Sequence, residues 1–213
     1  MRPNIASKDI RGIHIGSLQS LRPMLKQWQE IIEWWDAKNT EHDASWWYNE
    51  RASISQLAGA VWRCDGWAFE EFGTEKISAP NGRCDIAFGF GRRNFWGEAK
   101  QCWPALSQEN YQAKEMVEKH LRWARDEVLE GITGGYTGLA ITFVSSKIAP
   151  STADNIGIDA VIKDLVRQLR AIQNVTLAWT FPVSKRNLKS ELGKYKGYYF
   201  PGAVVAILPV NSR

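Results

Sequence analysis

The chain has 213 residues, of which 44% are hydrophobic, 23% charged and 12% aromatic, and this composition excludes a disordered, collagen-like or coiled-coil protein. Its 27 lysines and arginines exceed its 23 aspartates and glutamates by four, a mild basic excess that is compatible with a polyanionic partner. No apolar run reaches the roughly 18 residues that span a bilayer, and the first 17 residues lack the apolar core of a signal peptide. We therefore expect one large domain without a membrane partner.

The residue counts also limit the chemistry that the chain can perform. The three cysteines form no C-x-x-C pair, which indicates reduced thiols in a cytoplasmic protein. The three histidines lie far apart, so a His-rich zinc site or a Ser-His-Asp triad has little to draw on. We expect carboxylates and lysines to carry any catalysis.

The first third of the chain predicts two amphipathic helices. Residues 21–39 place apolar side chains at helical spacing, and residues 45–62 do so again after a polar break at 39–45. From residue 67 the pattern changes to alternation, which predicts a three-stranded meander. Its strands cover residues 67–78, 83–90 and 95–101, with a turn at 79–82 and a loop tip at 91–94.

The rest of the chain alternates helices and strands. The apolar run at 138–146 is typical of a fully buried strand. The remaining predicted elements are helices at 107–130 and 154–172, strands at 175–183 and 203–210, and a basic segment at 184–196 between those strands. A meander followed by alternating helices and strands predicts an α/β fold, with a mixed sheet flanked by helices on both faces.

The meander carries the residues that indicate chemistry. Asp85 lies near the start of its second strand, and Glu98 and Lys100 lie near the end of its third. Strand alternation puts Glu98 and Lys100 on one face while Ala99 points away, and Asp85 can share that face. Two neighbouring carboxylates repel each other, whereas Mg²⁺ prefers carboxylate oxygens. We therefore predict a site for Mg²⁺ or Mn²⁺ on Asp85 and Glu98, with the Ala99 carbonyl as a further ligand.

A lysine beside such a metal completes the chemistry of phosphodiester hydrolysis. Lys100 can hold the attacking water and offset the negative charge that grows on phosphorus. A bound metal lowers the pKa of its water and polarises the phosphoryl oxygen. The pattern thus indicates a metal-dependent phosphodiester hydrolase.

These residues resemble the PD-(D/E)XK nuclease superfamily. The matching segments are RCDIAFGF, which contains Asp85, and FWGEAKQ, which contains Glu98 and Lys100; Cys84 stands where the family name has proline. The resemblance implies a restriction-endonuclease-like fold with an αβββαβ core. It also implies an endonuclease that uses Mg²⁺ or Mn²⁺ and acts on nucleic acid, with DNA as the expected substrate.

The family commonly adds an acidic residue from the helix before the meander. Glu50 matches best, as a further metal ligand and catalytic group, and Glu70 and Glu71 on the first strand are rivals. Glu50 is equally explained as a carboxylate that favours a helix N-terminus. Gln101, directly after the lysine, resembles an additional catalytic polar residue found in several branches.

The resemblance also sets the domain organisation. Residues 45–213 correspond to the nuclease-like domain, and residues 1–44 form an N-terminal helical extension that packs on it. The helix after the meander offers Gln112 or Lys114 to the site.

Basic residues outside the motif are candidates for phosphate contact. An ordinary solvated loop explains them equally well. They are Arg92 and Arg93 at the loop tip, and Lys185, Arg186 and Lys189 in the basic segment.

The 11 tryptophans are unusually many for a chain of this length. We expect Trp28, Trp62 and Trp123 in the core. Trp46 and Trp47, just before Glu50, are left open between core packing and stacking on bases.

Three functions follow from the sequence. The first is a metal-dependent nuclease. The second is a catalytically inactive nucleic-acid-binding or protein-interaction module with the same fold. The third is a partner-binding protein whose tryptophan-rich N-terminal region forms an interface, for example in a homodimer.

Overall fold

A mixed sheet of seven strands, flanked by helices, organises the protein. The strands and helices are those of a computed structural model. It describes residues 10–39, 43–76, 79–106, 112–131, 134–191 and 193–210. None of the helices in this described part of the chain is long and apolar enough to cross a membrane.

Nine strands are present in the described ranges. They are β1 (Ile10–His14), β2 (Trp67–Lys76), β3 (Ala79–Phe90), β4 (Arg93–Cys102), β5 (Ala105–Leu106), β6 (Thr137–Ser145), β7 (Lys147–Ile148), β8 (Thr176–Phe181) and β9 (Ala203–Val210). The large sheet has the order β1-β8-β9-β6-β4-β3-β2, and β5 and β7 form a separate parallel pair. Strand β4 runs parallel to β6, and the other neighbours in the large sheet are antiparallel.

Five α-helices, counted over the same ranges, cover the two faces of the sheet. They are α1 (Arg22–Lys38), α2 (Glu50–Trp62), α3 (Ala113–Glu130), α4 (Pro150–Ile156) and α5 (Ile158–Arg170). The apolar side chains of α1 and α2 share one buried cluster with Phe88 and Phe95 of the sheet. Those of α3 and α5 share the other cluster with Ala87 and Trp96. The expected α/β architecture with a mixed sheet is therefore present.

The predicted meander is confirmed, but its first turn is not. Strand β3 begins at Ala79, and its backbone pairs with β2 at Lys76↔Ala79 and at Thr74↔Gly82. The predicted turn at 79–82 is thus part of a strand, because ladder pairing outweighs local turn preference. Residues 77–78, which join the two strands, lie outside the described residues.

Two helix predictions needed correction, and a third falls on residues that the structure does not describe. The predicted helix at 154–172 is two helices, separated at Gly157, whose φ of 86° only glycine adopts without strain. The helix predicted from residue 45 is a single 3₁₀ turn at Ser45–Trp47 followed by α2, which begins after Asn49; the Asn49 side chain accepts a hydrogen bond from the Ala52 amide. The start predicted at residue 107 falls on residues 107–111, outside the described residues.

Strand β1 was not predicted from the sequence at all. It pairs antiparallel with β8 at the edge of the sheet. Its five residues are too few to show a clear alternation, so the local pattern did not indicate a strand.

Two of the three tryptophans that were predicted to lie in the core are exposed. Trp28 is 1% exposed, as expected, but Trp62 is 54% and Trp123 46% exposed, so their placement in the core was wrong. Trp62 is the last residue of α2, and Trp123 lies beside the apolar stripe of α3 rather than on it. Trp46 is buried, and its indole N–H donates to the Phe200 carbonyl at 3.1 Å, whereas Trp47 is half-buried.

Gln29 of α1 ties the N-terminal segment to the sheet. Its side-chain amide donates to the carbonyls of Gly12 and Trp179, both at 2.8 Å. We expect Gln29→Leu to lower the free energy of unfolding by about 2 kcal/mol in urea denaturation, because two carbonyls lose their donor. The control Gln27→Leu removes only a bond to Glu30 within the helix and should cost at most about 0.5 kcal/mol. Equal losses would contradict the role of Gln29.

Candidate active site

The site begins where the pairing of β3 with β4 ends. The ladder between the two strands stops at Ile86↔Gly97, whereas β4 stays paired with β6 as far as Cys102. Beyond Gly97, the edge of β4 that faces β3 needs other partners for its amides. Asp85, the next residue of β3, supplies one, since its Oδ2 accepts a hydrogen bond from the Ala99 amide at 2.7 Å.

Glu50 takes the next amide on the same edge of β4. It is the first residue of α2, and its Oε2 accepts a hydrogen bond from the Gln101 amide at 2.8 Å. Two carboxylates thus replace the missing strand, one on each side of Lys100. The N–H and C=O of one strand residue point to the same edge, so the Ala99 carbonyl faces the same gap.

The side chains of Glu98 and Lys100 lie on the face of β4 that α3 covers. The neighbouring even-numbered residues Trp96 and Cys102 pack into the cluster beneath α3, as the alternation predicts. Lys100 Nζ lies 2.6 Å from Glu127 Oε2 of α3. Glu98 is 2% exposed, and its Oε1 lies 2.7 Å from Lys76 Nζ.

The charges in this cluster shift one another's protonation. Burial acts to lower the pKa of Lys100, but the hydrogen bond to Glu127 and the fields of Asp85 and Glu50 outweigh it and raise that pKa. Lys100 is therefore an ammonium at neutral pH.

Two carboxylates of the cluster, Glu50 and Glu98, have raised pKa values. Burial raises the pKa of Glu50, and the Asp85 carboxylate adds to this rise against the attraction of Lys100. Burial also raises the pKa of Glu98 to about 7, even though Lys76 opposes the shift. These acids repel one another in a poorly solvated place, a crowding that a cation relieves.

The side chain of Gln101 links β4 to α2 and β6 through hydrogen bonds. Its side-chain carbonyl accepts a hydrogen bond from Ser53 of α2 at 3.2 Å, and its amide donates to Ser145 Oγ of β6 at 2.8 Å. Ser145 in turn donates to the Trp46 carbonyl at 2.7 Å. The side chain of Gln101 thus holds α2, β6 and the 3₁₀ turn around the site. The predicted catalytic role of Gln101 stays a prediction.

Of the three acids considered for the additional position, Glu50 is the one that contacts β4. Glu70 accepts a hydrogen bond from Ser55 at 2.8 Å. Glu71 pairs with Arg51 at 3.2 Å. The geometry therefore favours Glu50.

The basic residues at the loop tip lie away from this cluster. Arg92 and Arg93 are exposed at the β3–β4 turn. Asp85 lies five residues before the end of β3 at Phe90, which is roughly 17 Å along the strand.

The basic segment is packed more tightly than a solvated loop. Lys185 is 3% exposed and lies 3.5 Å from Asp36, and Arg186 is 5% exposed and lies 3.0 Å from Asp159. Lys189 is exposed and lies 4.8 Å from the centroid of the Tyr199 ring. Buried, paired charges are costly to expose, so phosphate contact by Lys185 and Arg186 stays a prediction.

Sequence reasoning missed Glu127 and Lys76. Glu127 flanks the apolar stripe of α3 next to Val128, so the helical pattern placed it near the sheet without indicating its partner. The residues suggested instead were at the start of that helix: Gln112 is exposed, and Lys114 lies 3.8 Å from Glu118.

The donor chemistry of the cluster fits Mg²⁺ or Mn²⁺. Asp85, Glu50, Glu98 and the Ala99 carbonyl are all hard oxygen donors, which these ions prefer. Among the described residues, no three acidic, histidine or cysteine side chains converge on one point. Lys76 holds one of these donors, the Glu98 carboxylate, at 2.7 Å, so ion binding by Glu98 requires the displacement of Lys76.

Comparison of the chain with protein-family models, with curated proteins and with solved structures gives no significant match.

The raised pKa of Glu98 predicts a pH dependence of stability. Because that pKa is about 7 in the folded protein against an ordinary 4.5, the stability gained from protonating Glu98 is present below pH 4.5 and lost as the pH rises through about 7. We expect the melting temperature of the wild type, minus that of Glu98→Gln, to fall between pH 5 and pH 8 in EDTA. A difference that stays constant with pH would show that Glu98 does not titrate in this range.

Proposed function

We propose that this protein is a metal-dependent nuclease of the PD-(D/E)XK type that cleaves phosphodiester bonds in DNA. One observation carries the proposal. The carboxylates of Asp85 and Glu50 bind the amides of Ala99 and Gln101, on either side of the protonated Lys100. Simple stability does not favour this crowd of like charges, whereas hydrolysis of a phosphodiester uses each member.

The order of the elements supports a restriction-endonuclease-like fold. Helix α2, the meander β2–β4, helix α3 and strand β6 follow one another along the chain, and β6 is parallel to β4. This is the αβββαβ order that the resemblance implies. The same order explains why Asp85 and Glu50 both bind β4, since strand β3 and the start of helix α2 lie beside the same end of that strand.

Asp85, Glu98, Glu50 and the Ala99 carbonyl are the groups that would hold the ion. When bound, Mg²⁺ or Mn²⁺ supplies a polarised phosphoryl oxygen and a water of lowered pKa. Lys100 donates hydrogen bonds from its ammonium to the phosphate and offsets the charge that develops there. Since Lys100 carries a proton, it positions the water rather than deprotonating it.

Proton removal from the attacking water therefore falls to a carboxylate. Glu50 is the candidate for this role, since the Gln101 amide binds its Oε2 and leaves Oε1 for the ion or for the proton of the water. Glu127 Oε2 lies 2.6 Å from Lys100 Nζ and so holds the ammonium group in position.

One observation favours the alternative, an inactive nucleic-acid-binding module. Glu98 is almost fully buried against Lys76, so one proposed ligand is already neutralised. The alternative predicts salt-sensitive binding without cleavage.

Cleavage of plasmid DNA and of a single-stranded oligonucleotide in Mg²⁺ or Mn²⁺ tests the proposal. We expect Asp85→Asn and Lys100→Met each to lower the rate about 100-fold or more, because each removes a group that stabilises the charged transition state. The matched control Lys26→Met changes an exposed lysine of α1 that pairs only with Glu30 at 3.9 Å and should retain the wild-type rate. Full activity in Lys100→Met would exclude the proposed site, and folded wild-type protein without activity would favour the inactive module.

Glu127→Gln tests how Lys100 is tuned. Glu127 raises the pKa of Lys100, so its loss should lower that pKa. The decline of the cleavage rate at alkaline pH should then begin at lower pH than in the wild type. Glu118→Gln, which alters the outer ion pair with Lys114 on the same helix, serves as the control. Coincident profiles for Glu127→Gln and the wild type would show that Lys100 does not set the alkaline limb.

A further inference from the structure

A cavity of about 480 Å³ lies beside the proposed active site. It is lined by Trp47, Trp103, Ser190, Tyr195 and Phe200, and we call it the aromatic cavity. Phe200 is its centre, because the rings of the other three aromatic residues each meet it edge-on. Their centroids lie 5.6 Å (Trp47), 6.3 Å (Trp103) and 6.5 Å (Tyr195) from that of Phe200.

The same two segments build the aromatic cavity and the active site. Trp103 follows Lys100 by three residues, about 10 Å at the rise of an extended chain. Trp47 precedes Glu50 by three residues. Three base steps of a nucleic-acid strand cover a similar length of about 10 Å. A strand whose phosphate lies on Lys100 therefore brings another of its bases within reach of the aromatic cavity.

The charge beside the cavity decides which ligand fits. Lys147 is 9% exposed, and its Nζ lies 4.0 Å from the centroid of the Tyr195 ring. This cation already occupies a ring face and repels a second cation, so the cavity does not suit a quaternary ammonium ligand. A neutral aromatic ring, such as a nucleobase, fits a lining of four aromatic side chains without this repulsion.

We infer that the aromatic cavity holds one unstacked base of the nucleic acid whose backbone lies at Glu98–Gln101. The inference rests on the proposed function and narrows its substrate to strands with an unpaired base, such as single-stranded DNA. Every base has a face that stacks on aromatic side chains, so the cavity adds affinity without selecting sequence.

The test compares two oligomers of equal charge by fluorescence anisotropy in EDTA at low salt. One is a single-stranded oligothymidylate, and the other has the same length with every base replaced by an abasic spacer. We expect the wild type to bind the oligothymidylate about 10-fold more tightly, the scale of one stacked base. Trp103→Leu and Tyr195→Leu should abolish this preference, and Trp103→Phe, which keeps a ring, should retain most of it. Trp34→Leu, at a tryptophan of α1 that is 54% exposed, should retain all of it.

The outcomes separate the two proposals. Equal binding of both oligomers by the wild type, or a preference that survives in both leucine variants, overturns the base-binding role and leaves the nuclease intact. A ring-dependent preference in a protein that does not cleave DNA with any divalent ion supports the base-binding role and overturns the nuclease. Choline that binds the wild type but not Tyr195→Leu in calorimetry would identify a cation cage and overturn the inference.

Discussion

The end of the β3–β4 ladder at Ile86↔Gly97 is the constraint on which the site depends. A buried strand edge must find partners for its amides, and past this point β4 finds them in side chains rather than in a neighbouring strand. For that reason Asp85 accepts a hydrogen bond from the Ala99 amide, and Glu50 accepts one from the Gln101 amide. The gap between β3 and β4 and the acids that line it are two consequences of the same interrupted pairing.

Several carboxylates placed close together repel one another, and nearby lysines offset part of this repulsion. Lys100 and Lys76 each approach a carboxylate to within 2.7 Å, and the pKa of Glu98 still rises to about 7. Removing water from a charge is expensive even when a partner is close. Glu98 and Glu50 are thus held in an environment that favours uptake of a proton, and the proposed cation would relieve the same cost.

The surrounding network keeps this arrangement rigid. Gln101, Ser145 and the Trp46 carbonyl connect β4, β6 and the 3₁₀ turn in one chain of hydrogen bonds. Trp46 also binds the carbonyl of Phe200, the centre of the aromatic cavity. The proposed cleavage site and the proposed base site therefore share one framework, so a strand bound in the cavity has a defined position relative to Lys100.

Local pattern sufficed for the elements with strong periodicity. Helix α1, the meander and the buried strand β6 were predicted from spacing alone, as was the sharing of one face by Glu98 and Lys100, because each depends only on residues close in the chain. Other features depend on distant partners. Strand β1 exists through its pairing with β8, and Trp62 and Trp123 are exposed because neighbouring elements do not cover them. Lys185 and Arg186 are buried, and they pair with Asp36 and Asp159. By itself the sequence determined which residues are the candidates for chemistry, through their types and their positions on β3 and β4. Only the tertiary structure decided that Glu50 rather than Glu70 or Glu71 contacts β4, that Glu127 holds Lys100, and that four aromatic residues enclose a cavity beside them, because contacts between distant segments follow from packing and not from local spacing.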